Sequence, residues 1–495
     1  MSDSKKTKTS FSLGVFLNGA STIINVVLLF MEAGIASRFV TADNNGIFVV
    51  LIGFINLFMV FSDLGFKSGI TQRIAAASEK VQEKLANSAV TFRLILTSVI
   101  ALALWLLRHY IATFEGYESI DSQMVYIIPM FFATSFDELM IGTLRGFQIH
   151  KPLATLQIVK AVTRLSTTIV LVYFFDLQLI GLIISWTASH GLAAFFSYLS
   201  LPIRRRLTLD MPTLKDLLAF SRPLIVIRIV AFFRQHASTT LLIAGLLGPA
   251  GAAFYAFALK IPSGIQSLTE AYNNVFYPRM TELRANGDIE GANRLLNHSL
   301  RMLSFFLSGI ALGGFLFGNE IMGLLFGETY AAVGTLFGLI LVGLQMQVVI
   351  TFMGYALMGA GHPKENSVLI AVSTPIVLGL NYILILFLGA GVLGPAIGTI
   401  IEGNVLAPIF IRIGKLHEYA IKMWGYLKST ILMGMGICLS YFIEQAMGSS
   451  AYSLTSWGLN IAILLAFVGL NYAWDVITKE DFNYVATLRK KPAAA

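Results

Sequence analysis

Long, continuous apolar runs, repeated along the whole chain, decide what this sequence can fold into. Residues 333–358, for example, contain no charged side chain. In hydrocarbon every backbone polar group must be bonded internally, so only helices and closed barrels can cross a bilayer. The runs extend over about 20 residues without the alternation that barrel strands show over about ten. They therefore predict an all-α integral membrane protein.

The composition agrees with the bilayer as the main solvent, because only 13% of the residues are charged and 56% are hydrophobic. The single cysteine, Cys438, excludes an intramolecular disulfide and a cysteine-rich metal site. We predict about fourteen transmembrane helices. They cover residues 11–36, 46–65, 89–107, 124–143, 153–175, 180–201, 217–247, 252–278, 300–318, 333–358, 368–388, 395–413, 428–446 and 457–475.

The distribution of positive charge predicts the orientation. If the N-terminus is cytoplasmic, 25 lysines and arginines fall in cytoplasmic segments, whereas only Arg38 and Arg108 fall outside. This asymmetry follows the positive-inside rule and predicts that both termini are cytoplasmic. The net charge of +8 is then a consequence of topology and of attraction to anionic lipid, not of nucleic-acid binding.

An internal repeat divides the chain. The sequence LRGFQIHKP (144–152) follows span four, and LMGAGHPK (357–364) follows span ten. Asp63 with Arg73, and Glu270 with Arg279, recur at an offset of about 207 residues. Six spans per repeat place both halves in one orientation, related by an axis along the membrane normal.

This division predicts a sequence of segments. They are a cytoplasmic N-terminus (1–10), an N-lobe (11–201), a basic cytoplasmic linker (202–216), a C-lobe (217–413), two further helices (428–475) and a cytoplasmic tail (476–495).

Four short motifs carry a family resemblance. They are DLGF (63–66) closing span two, LGP (247–249) before span eight, LFGETY (325–330) before span ten, and GAGHPK (359–364) after it. On these motifs the chain resembles the multidrug/oligosaccharidyl-lipid/polysaccharide (MOP) exporter superfamily, and most closely its oligosaccharide flippase (Wzx-type) branch.

The resemblance implies two six-helix lobes around a central cavity and transport by alternating access in the bacterial cytoplasmic (inner) membrane. The implied substrate is an undecaprenyl-pyrophosphate-linked oligosaccharide destined for O-antigen, capsule or exopolysaccharide. A polysaccharide polymerase is the implied protein partner.

Cations inside the predicted spans are the candidate substrate-binding groups. A charged group at mid-bilayer costs about 2.5–3.5 kcal/mol on insertion scales, so such groups should face water or a partner. Arginine forks suit phosphate oxygens. The candidates are Arg228, Arg234, Arg164, Lys260, Arg222 and Lys160. Two alternatives stay open, since Arg222 could snorkel to the cytoplasmic surface and Lys160 could form a structural ion pair with Asp137 or Glu138.

The remaining ionisable and polar residues of the spans fall into three predicted groups. The candidate polar cavity lining is Asn18, Asn25, Ser263, Ser267 and Asn274. The candidate ion-coupling groups are Glu32, Glu402 and His236, and the candidate cytoplasmic gate is Asp63, Arg73, Glu270 and Arg279. The polar stripes could equally serve as interhelical hydrogen bonds, and Glu402 could neutralise an arginine of span seven.

These features predict a transporter rather than an enzyme. The sequence contains no Walker A motif, paired-cysteine metal site or nucleophile elbow. We expect no cofactor and no metal, with transport coupled to a proton or Na⁺ gradient. A lipid II flippase and a cation-coupled multidrug antiporter are the alternatives. A membrane-embedded glycosyl-lipid enzyme is disfavoured because no external loop is long enough to present catalytic residues.

Overall fold

The computed structural model describes residues 11–477 except 64, 114–116, 235 and 448–453. The described residues form helices and turns and contain no β-strand, as the apolar runs predicted. They divide at 257/258 into two compact units, which we call unit 1 and unit 2.

Unit 1 contains nine α-helices. They are α1 (Phe11–Phe39), α2 (Ala42–Asp63), α3 (Phe66–Ala76), α4 (Glu79–Ala112), α5 (Ile127–Gly146), α6 (His150–Thr168), α7 (Gln178–Ser200), α8 (Met211–Arg234) and α9 (His236–Ala258). A 3₁₀ segment, Glu118–Tyr126, precedes α5, and a π-helical segment, Ile169–Phe174, continues α6.

Unit 2 contains ten α-helices. They are α10 (Lys260–Ala285), α11 (Ile289–Leu316), α12 (Gly318–Phe326), α13 (Glu328–Ala331), α14 (Gly334–Met346), α15 (Val348–Gly359), α16 (Pro363–Leu386), α17 (Gly394–Leu416), α18 (Met423–Met447) and α19 (Leu454–Ala473).

Twelve segments of the described chain are long and apolar enough to cross a membrane. They confirm a polytopic membrane protein, but they do not confirm the predicted number of fourteen. Helix α1, which overlaps predicted span one, is not among the twelve. Helices α8 and α10 overlap predicted spans seven and eight, and neither is among the twelve either, whereas Thr239–Ala258 is. Several charged side chains interrupt the apolar sequence of α8 and of α10, and they lower the mean hydropathy of both helices.

Helix α2 ends where the sequence predicted, and the chain then continues as a separate helix. Gly65 has a φ of 76°, a left-handed conformation that glycine adopts without a steric penalty. Helix α3 begins at the next residue. The break leaves Asp63 as the last residue of α2, at the N-terminal side of α3.

Helices α8 and α9 pack with the first unit, although the predicted C-lobe begins at residue 217. A Cβ added to Gly46 of α2 would lie 1.9 Å from the carbonyl oxygen of Pro249 in α9. A Cβ on Gly69 of α3 would lie 2.6 Å from Ser221 Oγ in α8. These approaches require glycine and fix α8 and α9 against α2 and α3, so the boundary between the units falls after them.

Helices α18 and α19 pack within unit 2. Asn460 of α19 donates through Nδ2 to the carbonyl oxygen of Leu316 at 3.0 Å. Gln345 of α14 donates to Thr430 Oγ1 in α18 at 2.8 Å. The two helices beyond the predicted repeat are thus fixed by buried polar contacts as well as by apolar packing.

Candidate functional site

A cluster of charged side chains lies in unit 1 at the junction of α2 and α3. We call it the Asp63 cluster; it consists of Asp63, Lys67, Arg93, Glu138 and Arg228. Asp63 Oδ1 accepts a hydrogen bond from the backbone N–H of Lys67 at 3.0 Å and lies 3.4 Å from Arg93 Nη2. Asp63 Oδ2 lies 3.2 Å from Arg228 Nη2, and the Lys67 ammonium contacts Glu138. The Asp63 carboxylate therefore accepts hydrogen bonds from α3 and α4 and forms an ion pair with Arg228 of α8.

Arg93 anchors this cluster from the inside. Its side chain is 1% exposed, and it donates to the backbone carbonyls of Ser62 and Ser135. The hydroxyls of Ser62, Thr97 and Ser135 bond to one another at 2.9–3.4 Å. Burial of a guanidinium is tolerable only with such complete pairing, so we interpret Arg93 as a structural cation.

Arg228 differs from Arg93 in its access to the surroundings. Its side chain is 38% exposed, whereas the Asp63 carboxylate that it contacts is 6% exposed. Lys67 and Glu138 are partly exposed as well, at 22% and 31%. The cluster holds three cations and two carboxylates, so it carries a net positive charge on its accessible side.

A second cluster lies between α1, α5, α6 and α7. We call it the Trp186 cluster, and it consists of Glu32, Asp137, Lys160, Arg164, Trp186 and His190. Arg164 Nη2 lies 3.2 Å from Glu32 Oε1, and its guanidinium stacks over the Trp186 ring with 4.5 Å to the centroid. The His190 ring also stacks on the Trp186 ring, with 4.6 Å between the two centroids.

Asp137 connects Lys160 and His190 in the Trp186 cluster. Its Oδ2 accepts from Lys160 Nζ at 2.8 Å and lies 2.8 Å from His190 Nδ1. The structure thus contains the ion pair with Asp137 that was an open alternative for Lys160. Arg164 also has a partner, yet its Nε atom is buried without a hydrogen bond in the described part of the chain, so its donor capacity is not exhausted by Glu32.

One segment of α5 joins the two clusters. Thr134 accepts from Trp186 Nε1 at 3.0 Å, and Asp137 binds Lys160 and His190. The neighbouring Glu138 contacts Lys67 of the Asp63 cluster. Successive residues of a helix point about 100° apart, so adjacent carboxylates on α5 serve two separate networks.

The predicted gate residues of unit 1 do not contact each other. Asp63 is buried in the cluster described above, while Arg73 Nη2 pairs with Asp216 Oδ1 at 2.9 Å. The Arg73 guanidinium also lies over the Phe220 ring at 4.9 Å. Helix α3 carries Arg73 away from the end of α2, whereas the prediction grouped Arg73 with Asp63 in one gate.

The candidates of unit 2 lie on α10 and α17. Lys260 is half-buried at the start of α10, and four others are exposed along that helix: Ser263, Ser267, Glu270 and Asn274. Arg279 pairs with Glu282 at 2.7 Å, within one turn. Glu402 of α17 is buried and accepts from Gln347 Nε2 at 3.1 Å.

Five candidates remain. The side chains of Asn18, Arg222 and His236 lie outside the described residues. Asn25 on α1 and Arg234 at the end of α8 are described and half-buried.

Sequence reasoning missed four residues of these clusters: Lys67, Arg93, Trp186 and His190. Lys67 lies in the predicted cytoplasmic segment after span two, and a signal existed for the other three. Arg93 lies within predicted span three, and Trp186 and His190 lie within predicted span six at a spacing of four, on one helix face. An ionisable residue inside a span is a candidate by default, and that rule would have found Arg93 and His190.

The fold is that of known membrane transporters. The structure of the lipid II flippase MurJ in an inward closed conformation superposes with a TM-score of 0.72 over 93% of this chain and 100% of that chain, at 14% identity. An inward-facing multidrug resistance MATE family transporter of the MOP superfamily superposes with a TM-score of 0.61 over 79% and 94%, at 15% identity.

Sequence comparison gives related proteins over nearly the same length. Stage V sporulation protein B of Bacillus subtilis is 23% identical over 91% of this chain and 93% of its own. The probable low-salt glycan biosynthesis flippase Agl15 of Haloferax volcanii is 22% identical over 84% of this chain and 87% of its own. The family model described as polysaccharide biosynthesis protein matches residues 20–334, more than half of the sequence. This chain is therefore a member of the polysaccharide biosynthesis protein family, with the transporter fold of the MOP superfamily.

Proposed function

We propose that this chain is a flippase that carries undecaprenyl-pyrophosphate-linked oligosaccharides from the cytoplasmic to the outer leaflet of a bacterial inner membrane by alternating access. Family membership and the flippase name of one relative support this class of function. Moving such a head group unaided would place its charge in hydrocarbon, and a polar, cationic path removes most of that cost.

The observation that carries the proposal is the position of Arg228. Asp63 already receives the Lys67 amide and the Arg93 guanidinium, so it does not depend on Arg228 alone. Arg228 is more than a third exposed and has five N–H donors in a planar fork. Such a fork binds phosphate oxygens through two parallel hydrogen bonds, so Arg228 has donors to spare for a pyrophosphate.

The sign of the charge separates this proposal from a multidrug antiporter. A cavity for cationic drugs would present an excess of carboxylates. The Asp63 cluster has an excess of cations, which favours an anionic substrate. A lipid II flippase remains the alternative, because its substrate has the same pyrophosphate. A glycosyl-lipid enzyme is a different class and has less support, since one sequence relative is named a flippase and the two solved structures with this fold are named as a flippase and a transporter.

For energy coupling we propose the buried carboxylates Glu32 and Glu402. Arg164 lies 3.2 Å from Glu32, and Glu402 accepts a hydrogen bond from Gln347 Nε2 at 3.1 Å. Buried carboxylates of this kind form the ion pathways of many membrane transporters. A polysaccharide polymerase would take the delivered lipid-linked unit.

The function is tested in three bacterial strains expressing this chain at equal membrane abundance. One lacks its oligosaccharide flippase, one is depleted of its lipid II flippase, and one lacks its main drug exporters. We expect restored surface polysaccharide in the first strain only. Growth rescue of the second strain alone would support the lipid II alternative, and reduced accumulation of a cationic dye alone would support the antiporter. Arg294→Ala, which removes an exposed ion pair with Glu290, is the control that should not affect rescue.

A further inference from the structure

Three potential metal ligands meet at one end of unit 2, remote in sequence from the charged clusters of unit 1. Glu365 Oε1 lies 3.6 Å from His362 Nδ1 and 3.7 Å from His417 Nε2. One ligand atom from each residue lies within 4.8 Å of the other two. The two imidazole rings face each other, with 3.7 Å between centroids.

The local sequence builds the first half of this arrangement. Gly361 has a φ of 85°, and the N–H of His362 bonds to the carbonyl oxygen of Leu357 at 2.9 Å. This is the glycine-ended helix terminus that turns the chain out of α15. Pro363 then starts α16, and Glu365 lies three residues after His362, within one turn and on the same side.

A second turn, after α17, places His417 next to Glu365. Helix α17 ends at Leu416, and the N–H of Tyr419 bonds back to the carbonyl oxygen of Gly414 at 3.0 Å. The hydroxyl of Tyr419, a buried residue, donates to the carbonyl oxygen of Ala356 in α15 at 2.8 Å. This bond joins the turn after α17 to the helix that precedes His362, so both histidines are held in place by backbone contacts.

The distances fit ligands around an ion better than direct hydrogen bonds. Hydrogen bonds between nitrogen and oxygen span about 2.7–3.2 Å, and both contacts of Glu365 are longer. In a tetrahedral site with metal–ligand bonds of about 2.0–2.1 Å, neighbouring ligand atoms lie about 3.3–3.4 Å apart. Each of the two Glu365 distances exceeds that spacing by a few tenths of an ångström, and the three ligand atoms lie within 4.8 Å of one another.

The donor set selects the class of cation. Imidazoles bind Zn²⁺, Co²⁺, Ni²⁺ and Cu²⁺, whereas Mg²⁺ and Ca²⁺ take oxygen ligands. Lys364 and Lys415 flank the site in sequence. Their positive charges offset the single carboxylate of Glu365, so the site would not attract Mg²⁺ or Ca²⁺ by charge alone. The exposed fractions of His362, Glu365 and His417 are 37%, 36% and 20%, which leaves an entry path and a position for water.

We propose that His362, Glu365 and His417 bind a divalent transition-metal ion of the Zn²⁺ type. The ion ties the start of α16 to the end of α17 and completes its coordination with water. No sequence motif indicates this site, because one histidine precedes α16, the other follows α17, and the two follow no metal-binding spacing. The proposal does not depend on the transported substrate.

The experiment uses the full chain in detergent, purified without a histidine tag. Bound Zn²⁺ is measured by equilibrium dialysis and elemental analysis, and Co²⁺ is added separately to read coordination from its visible absorption. We expect about one ion per chain and a tetrahedral Co²⁺ spectrum. His417→Asn and Glu365→Gln should each weaken binding by more than about 100-fold, because loss of an outer-shell partner alone costs about 10–100-fold.

Two further variants keep the proposal falsifiable. His109→Asn removes an imidazole whose Nδ1 lies 2.8 Å from Asp121 Oδ1, outside the proposed site, and it should bind metal as the unchanged chain does. His417→Cys keeps a ligand at that position and should add a sulfur-to-cobalt charge-transfer band. Equal affinity in all variants, an octahedral Co²⁺ spectrum, or absence of the band in a folded His417→Cys protein would overturn the site.

Discussion

The ion pair of Glu32 and Arg164 gives a prediction whose size can be worked from the structure. The two side chains are 4% and 11% exposed, and their charged atoms lie 3.2 Å apart. Arg164→Met removes the cation and leaves Glu32 buried without another charged partner among the described residues. Removing one partner of a buried pair costs about 3–5 kcal/mol, which shifts the unfolding equilibrium roughly 100- to 4,000-fold.

The reverse change should cost less. In Glu32→Gln the guanidinium of Arg164 keeps its stacking on Trp186 at 4.5 Å and an amide acceptor at position 32. The double variant removes both charges, so it should be more stable than Arg164→Met alone.

The assay for this pair is unfolding of the purified chain by SDS titration in mixed micelles, followed by circular dichroism. The coupling free energy of the cycle should be about 1–3 kcal/mol in the favourable sense. Strictly additive losses, or a double variant less stable than Arg164→Met, would refute the reasoning that these charges compensate each other.

Three other predictions concern packing, the buried arginine and topology. Gly46→Ala should strongly reduce the amount of folded protein, because the added Cβ would lie 1.9 Å from a backbone oxygen. Gly191→Ala is the control and should not, because its added Cβ has its nearest neighbour at 4.0 Å. The folded fraction after size-exclusion chromatography measures both effects. Arg93→Met should lower the free energy of unfolding by about 3 kcal/mol or more by leaving buried acceptors unpaired, as measured in the same SDS titration, and a loss below 1 kcal/mol would contradict its role as an anchor. In a chain whose single cysteine is replaced by serine, Thr329→Cys should react with an impermeant thiol reagent from outside the cell and Asn286→Cys should not; reversed labelling would overturn the predicted orientation.

The fold was largely predictable because membrane insertion leaves a strong one-dimensional signal. Uninterrupted apolar runs have few alternative structures, and most predicted spans correspond to observed helices. The hydropathy signal is weaker in α8 and α10, because these helices contain several charged residues. There the predicted span boundaries differ from the observed helix boundaries. The break at Gly65 was signalled by the glycine itself, but its consequence, a separate α3, was not.

The pairing of charges was less predictable than their presence. Asp63 and Arg73 lie close in sequence, yet Asp63 pairs with Arg93 and Arg228, which come from other helices. Helix periodicity gives the face on which a residue lies, not the helix that this face meets. Lys160 was an exception because antiparallel neighbours at similar depth limit the choice of partner.

The central claim is that Arg228 binds the anionic head of a lipid substrate. It is tested most directly by measuring the affinity of the purified chain for a short prenyl pyrophosphate, with the corresponding prenyl alcohol as the uncharged comparison. Arg228→Ala loses charge-assisted hydrogen bonds worth about 1.5–3 kcal/mol, so the Kd should rise roughly tenfold or more. Arg228→Lys should fall between, since it keeps the charge without the fork, and Arg294→Ala, which removes an exposed pair with Glu290, should bind as the unchanged chain does. An unchanged Kd in folded Arg228→Ala, or equal affinity for the alcohol and the pyrophosphate, would contradict the account.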